Sequence, residues 1–162
     1  MLKKFAIQAI FLLIIIFIML ALATGNIPNT FFKGPAGNQV TEAVVGGNKL
    51  KIEVADTKEK RAKGLGGKQS LASDSGMLFI FEKDDRYAFW MKGVSFAIDF
   101  IWINDMQVVD FIKSAQPPKQ GLKDEELPLY MPNQPIDSVL EVPSGYIDSH
   151  SVKVGDEVRI IR

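Results

Sequence analysis

Cysteine is absent from the 162-residue chain. No disulfide can staple the fold, even in an oxidising compartment, so stability must come from an ordinary core. The same absence excludes cysteine-ligated zinc, iron–sulfur clusters, thiol nucleophiles and a lipid-modified cysteine anchor. Histidine is nearly absent. His150 is the only one, which excludes a multi-histidine metal site within one chain and leaves carboxylates or methionines as the remaining metal chemistry. Met77, Met91, Met106 and Met131 are dispersed along the sequence, as expected for core packing rather than for copper(I) ligation, and no cofactor or metal is expected. Net charge is missing as well: 19 basic residues balance 19 acidic ones, and setting aside Lys3 and Lys4 leaves 17 against 19. A nucleic-acid partner calls for a basic excess or stripe, and none is present.

What the chain does have is a long apolar start. Phe5 to Ala23 carries no charge and one polar residue, Gln8. A run of that length reaches the roughly 20 residues that cross a bilayer core as a helix. Lys3 and Lys4 precede it, and no basic residue follows until Lys33. The positive-inside rule therefore predicts a cytoplasmic N-terminus and an extracytoplasmic remainder. Ala21-Leu22-Ala23 fits a small-x-small cleavage site, whereas the apolar core exceeds the roughly 7–15 residues of a signal peptide. Residues 1–24 are thus a single-pass membrane anchor or a cleaved signal. Either places the rest outside, membrane-bound or secreted.

Residues 25–47 read as a flexible linker, rich in glycine and proline with no sustained period. Phe31 and Phe32 interrupt it, suited either to the headgroup layer or to packing on the domain. Residues 48–162 read as one domain. Lys49 to Val54 alternates strictly, predicting a strand with Leu50, Ile52 and Val54 inward. Asp56 or Thr57 caps a short helix over Lys58 to Lys63 that Gly64 ends. Further strands are predicted over Met77 to Phe81, Tyr87 to Met91 and Phe96 to Ile103. The last forms a hairpin with Gln107 to Ile112 around Asn104-Asp105. Ser138 to Val142 follows, and Val152 with Val154 pairs with Val158 to Ile161 around Gly155-Asp156. The fold class is α+β, mostly β: a compact, partly closed barrel of six or seven short strands with one or two short helices, behind the N-terminal transmembrane or signal helix. Between Ala115 and Ile136, five prolines exclude a central strand or helix. That stretch is either a lid or binding loop, or a plain connection.

Two carboxylates stand where apolar residues belong. Asp99 sits within Phe96-Ala97-Ile98-Asp99-Phe100-Ile101, and Glu141 within Val139-Leu140-Glu141-Val142. Burying either unpaired costs several kcal/mol, so each needs a partner or a proton. Arg61 and Lys92 are candidate partners for Asp99. Both carboxylates fit a structural network, and equally a ligand pocket, where perturbed ionisable groups gather. The run Phe89-Trp90-Met91-Lys92 concentrates large side chains. Its alternation is expected to turn Trp90 and Lys92 to opposite faces, with Trp90 either filling the core or stacking on a sugar or base at a pocket mouth.

These residues also carry a resemblance. Glu53-Val54-Ala55-Asp56-Thr57, Arg61-Ala62-Lys63-Gly64-Leu65, Gly76-Met77-Leu78-Phe79, Phe89-Trp90-Met91-Lys92, Asp99, Val139-Leu140-Glu141-Val142, Gly145 and Gly155-Asp156 occur in an order similar to the bacterial and archaeal domain of unknown function 192. The resemblance spans Lys49 to Ile161. It implies a small, mostly β domain, often exported behind a signal or anchor, with no assigned activity. Two positions depart from the family pattern. Leu65-Gly66-Gly67-Lys68 stands for Leu-Met-Gly-Arg, and Lys92-Gly93 for Lys-Asn. Lys68 cannot reproduce bidentate pairing by a guanidinium, and Gly93 removes a side-chain amide.

The functional expectation is a membrane-tethered, extracytoplasmic domain in which Arg61, Trp90, Lys92, Asp99 and Glu141 converge on one cleft. The ligand is expected to be small and polar or anionic, a saccharide among the options, with an envelope protein as the other kind of partner. One alternative is a hydrolase using Asp99 and Glu141 as an acid–base pair, which needs the carboxyls about 5–9.5 Å apart beside open space. The other is a purely structural envelope module.

Overall fold

A computed structural model describes residues 40–161. They form a seven-stranded sheet that curls into a half-barrel, with strand order β5-β4-β6-β3-β2-β1-β7. The strands are β1 (Val40–Val45), β2 (Asn48–Ala55), β3 (Ser75–Asp85), β4 (Ile98–Asn104), β5 (Gln107–Ala115), β6 (Ile136–Pro143) and β7 (Val158–Ile161). Two short helices complete it, α1 (Lys58–Lys63) and α2 (Tyr146–Ser149). Every neighbouring pair is antiparallel except β2 and β3, which run parallel from Lys51 opposite Ser75 to Ala55 opposite Phe79. A parallel pair needs a crossover, and α1 with the loop after it supplies one. The outer strands β5 and β7 meet at one point: Gln107 bridges Glu157, and the Val158 amide donates to Met106 O at 2.8 Å.

Alternation divides the apolar side chains between two faces. Val45, Leu50, Ile52, Leu78, Ile101, Leu140 and Val142 fill the barrel interior, where α2 adds Tyr146 and Ile147. Met77, Phe79, Phe100, Trp102 and Val139 form a second core on the outer face, with Leu65, Met91 and Val94 from the loops laid over it. Strand β4, between β5 and β6, is therefore buried on both sides from Ile98 to Ile103. This is why its sequence is a continuous apolar run rather than an alternating one.

The structure moves the start of the domain. Val40–Val45 belongs to the sheet rather than to a linker, pairing with β2 on one side and β7 on the other. Gly46 and Gly47 are its hairpin turn, with φ of 54° and 87°. Two adjacent left-handed residues are what a two-residue hairpin loop requires, and glycine adopts them without strain. Accordingly, trimming the chain to residue 48 should abolish the cooperative thermal transition seen by circular dichroism. Trimming to residue 38 should preserve it.

Two predicted strands are absent among the described residues. Tyr87 to Met91 lies outside the ladder because β3 is already flanked by β2 and β6. Its apolar residues serve the outer core, with Phe89 edge-on to Phe79, Phe100 and Trp102 at 5.3, 5.8 and 5.4 Å. Val152 to Val154 forms a turn after α2, with Val152 buried and Val154 61% exposed. The predicted leader and Phe31-Phe32 lie outside the described residues. Among those described, no helix is long and apolar enough to cross a membrane.

Candidate functional site

Helix α1 begins at Thr57, whose hydroxyl oxygen accepts from the Lys60 amide at 3.2 Å. Its last turn presents Arg61 and Lys63. Arg61 Nη1 donates to Ile80 O at 2.7 Å, and the guanidinium lies 5.3 Å from the Phe81 ring centre. The helix is thereby tied to β3. Opposite it runs the segment from Arg86 to Val94, held to the proline-rich connection by paired backbone bonds of 2.8 Å between Phe89 and Tyr130. Between helix and segment lies a cleft of about 160 Å³, with Arg61, Lys63 and Lys92 as its charged lining and Phe81, Tyr87 and Trp90 among its walls. No acidic side chain lines it.

Trp90 and Lys92 face the same side of their segment, not opposite sides. They are two residues apart, and Met91 between them is the one turned inward, 2% exposed. Trp90 is 47% exposed. Lys92 Nζ lies 5.6 Å from the Trp90 ring centre and pairs with Asp124 of the proline-rich connection. That connection thus borders the cleft.

Asp99 and Glu141 do not join this cleft. In the ladder Asp99 faces Val142 and Glu141 faces Phe100. Adjacent rows point to opposite faces, so Asp99 belongs with the interior and Glu141 with the outer core. Asp99 is fully buried and satisfied by main chain: Oδ1 accepts from the Ser114 amide at 2.8 Å, and Oδ2 from Gly145 and Ile147 at 3.1 Å each. It neither pairs with Arg61 nor with Lys92, but fixes the start of α2. Glu141 is 5% exposed, and its Oε2 has no hydrogen-bond partner among the described residues. Burial pushes its carboxyl up to about 8. Two buried carboxyls on opposite faces of a sheet share no open space, so the acid–base pair of the hydrolase reading does not form. The five-residue cleft reduces to Arg61, Trp90 and Lys92.

Sequence reasoning missed Lys63, Phe81 and Tyr87. Phe81 and Tyr87 stack with ring centres 3.7 Å apart. The available signal was an aromatic residue on each side of the charged run Glu82 to Arg86, most of which is the exposed end of β3. A second cleft, about 370 Å³, lies beyond the end of α1, lined by Lys60, Lys63 and Lys68 with Glu53 as its one acid. Lys68 pairs with Glu53 at 2.6 Å and Lys60 with Asp56 at 2.8 Å. The Lys60 hydrogen bond holds the Asp56 carboxyl below its ordinary value. Among the described residues there is no cluster of three or more histidine or carboxylate side chains suited to a metal ion.

The half-barrel, its crossover helix and this basic cleft define a small β domain of a recognisable kind. A family model for DUF192, an uncharacterized ACR, matches residues 40–160, and the chain belongs to that family. Its fold is similar to a candidate transcription regulator from Sinorhizobium meliloti 1021, at 23% identity and a TM-score of 0.69, covering 78% of this chain and 98% of that one. It is also similar to a protein of unknown function from Novosphingobium aromaticivorans DSM 12444, at 26% identity and a TM-score of 0.69, covering 77% and 88%. None of the curated proteins compared matches the chain.

Proposed function

We propose that the chain is a membrane-tethered, extracytoplasmic binding domain whose ligand is a small anion with a flat apolar part. The observation that carries this reading is the cleft lining: Arg61, Lys63 and Lys92 with no acid among the lining residues, set among aromatic rings, and with Lys92 held only by an exposed pair to Asp124 outside the lining. An anion there gains charge-assisted hydrogen bonds, and an aromatic or sugar ring gains a stacking surface on Trp90. The tether and the location rest on the bilayer-length run from Phe5 to Ala23 and the lysines before it. A C-terminal reporter that is active only outside the cytoplasm tests that part.

Binding is tested by calorimetry on the purified full-length chain in mild detergent. Phenyl phosphate should bind and benzyl alcohol, its neutral counterpart, should not. Lys92→Gln should weaken phenyl phosphate by about tenfold or more, the value of one hydrogen bond to a charged group. Arg61→Lys, which keeps the charge but loses the planar fork, should weaken it less. Equal affinity for the charged and neutral probes would sink the reading.

A protein partner is the second reading. Trp90, Leu129 and Met131 are 47%, 60% and 43% exposed, and the antiparallel Phe89–Tyr130 bridge brings the stretch that carries Leu129 and Met131 against the segment that carries Trp90.

A further inference from the structure

The two clefts are not independent. Lys63, Gly64 and Gly66 line both of them. The ridge between is the short stretch after α1, and its composition leaves it bare: two of its residues have no side chain, and the third, Leu65, is 1% exposed with its side chain in the outer core. Only main chain stands between one cleft and the other. Size points the same way. A cleft of about 160 Å³ is well below the roughly 300–1,000 Å³ of ordinary small-molecule sites, and the adjoining one of about 370 Å³ supplies the room that the first lacks.

The halves differ in chemistry. Aromatic rings belong to the first, around Phe81, Tyr87 and Trp90. The second has none; it offers Lys60, Lys63 and Lys68 against Glu53. Lys63 makes no ion pair among the described residues. Lys68 is engaged by Glu53, but both side chains are partly exposed, at 33% and 25%. Such pairs are worth about 1 kcal/mol or less, so an incoming phosphate or carboxylate can take the ammonium.

Resting on the binding role above, we infer that the two clefts act as one groove and that its ligand carries two anionic groups. The planar part and the first anion lie against Trp90, Arg61 and Lys92. The ligand crosses the bare ridge, and the second anion meets Lys63 and Lys68. A nucleoside diphosphate, or a comparable ring with two linked acidic groups, has this layout. Lysine suits the second position because it meets a phosphate as a point charge without a fixed geometry.

The test compares adenosine monophosphate with adenosine diphosphate on the full-length chain, by calorimetry in a chelator-containing buffer. The diphosphate should bind about tenfold more tightly. Lys68→Gln, which changes a residue lining only the second cleft, should remove most of that difference while leaving the monophosphate affinity within about twofold, with an unchanged circular dichroism spectrum showing the fold intact. If the two nucleotides bind alike, or if the Lys68→Gln variant keeps the full preference, the single groove is overturned and the anion cleft stands. Binding of phenyl phosphate but of neither nucleotide also overturns it. Failure of all three probes removes the binding role and this inference with it.

Discussion

Replacing Glu141 with leucine is expected to stabilise the domain at pH 7.5 and to change little at pH 4.5. In the native protein the carboxyl is buried between Met77 and Phe100 on the outer face, and burial raises it to about 8 from an ordinary value of 4.5. Between those values the unfolded chain has given up the proton and the folded chain still holds it. Folding then takes up a proton, so stability is complete below about pH 4.5, declines as pH rises and levels off above about 8. The slope in that window is roughly 1.4 kcal/mol per pH unit. At pH 7.5 the leucine variant should therefore be more stable by on the order of 2–4 kcal/mol, since apolar replacement of a buried charge site is commonly neutral or favourable. Glu141→Gln should flatten the pH dependence equally but gain less, because an amide remains buried without partners. Urea unfolding at both pH values measures this. A wild-type stability that is flat or rising between pH 5 and 8 would contradict the assignment.

Asp99→Ala should act in the opposite sense and unfold the domain most easily of any single change. Its carboxylate accepts three backbone amides, from Ser114, Gly145 and Ile147. Removing it strands those donors in the interior, a loss on the order of 3–5 kcal/mol. The melting temperature should fall by more than about 10 °C for a domain of this size. Asp99→Asn should recover part of that loss, since it keeps one carbonyl acceptor in the same place. Neither variant should alter phenyl phosphate affinity at a temperature where it remains folded, because Asp99 faces away from the cleft. A selective loss of binding with unchanged stability would restore Asp99 to the site.

The contrast between these two carboxylates shows how far the sequence could be read. Each stood out as a charge within an apolar run, and each is buried. What a linear pattern does not carry is which face of a doubly covered strand a residue takes, because in β4 both faces are apolar and the alternation signal vanishes. The pairing Asp99–Val142 and Glu141–Phe100 separates them, and only register reveals that. Helix α1, the β4–β5 hairpin and strands β2, β3 and β6 were legible, since their caps, turn residues and periods are local. Strand β1 was not. Val40 to Val45 is short, and the glycines beside it resemble linker composition until one sees that they turn a hairpin. The segment around Trp90 failed for a different reason. Its apolar residues answer to a layer packed over the sheet, and such a layer produces the same composition as a strand within it. Of the cleft, Arg61, Trp90 and Lys92 were found because they are large or charged near apolar runs. Lys63 was passed over because nothing distinguishes it locally from any other lysine at a helix end.

The parallel pairing of β2 and β3 has a consequence for how such a domain diversifies. Where the strands run antiparallel, a change in a connecting turn risks shifting the ladder beside it. Where they run side by side in the same sense, the chain must climb off the sheet and return, and the stretch that makes this excursion owes the ladder little beyond its two landing points. Arg61, Lys63 and the bare ridge all lie on that excursion. The part of the proposed binding surface that α1 and the ridge supply thus lies where selection can rewrite the chain with the least penalty to folding.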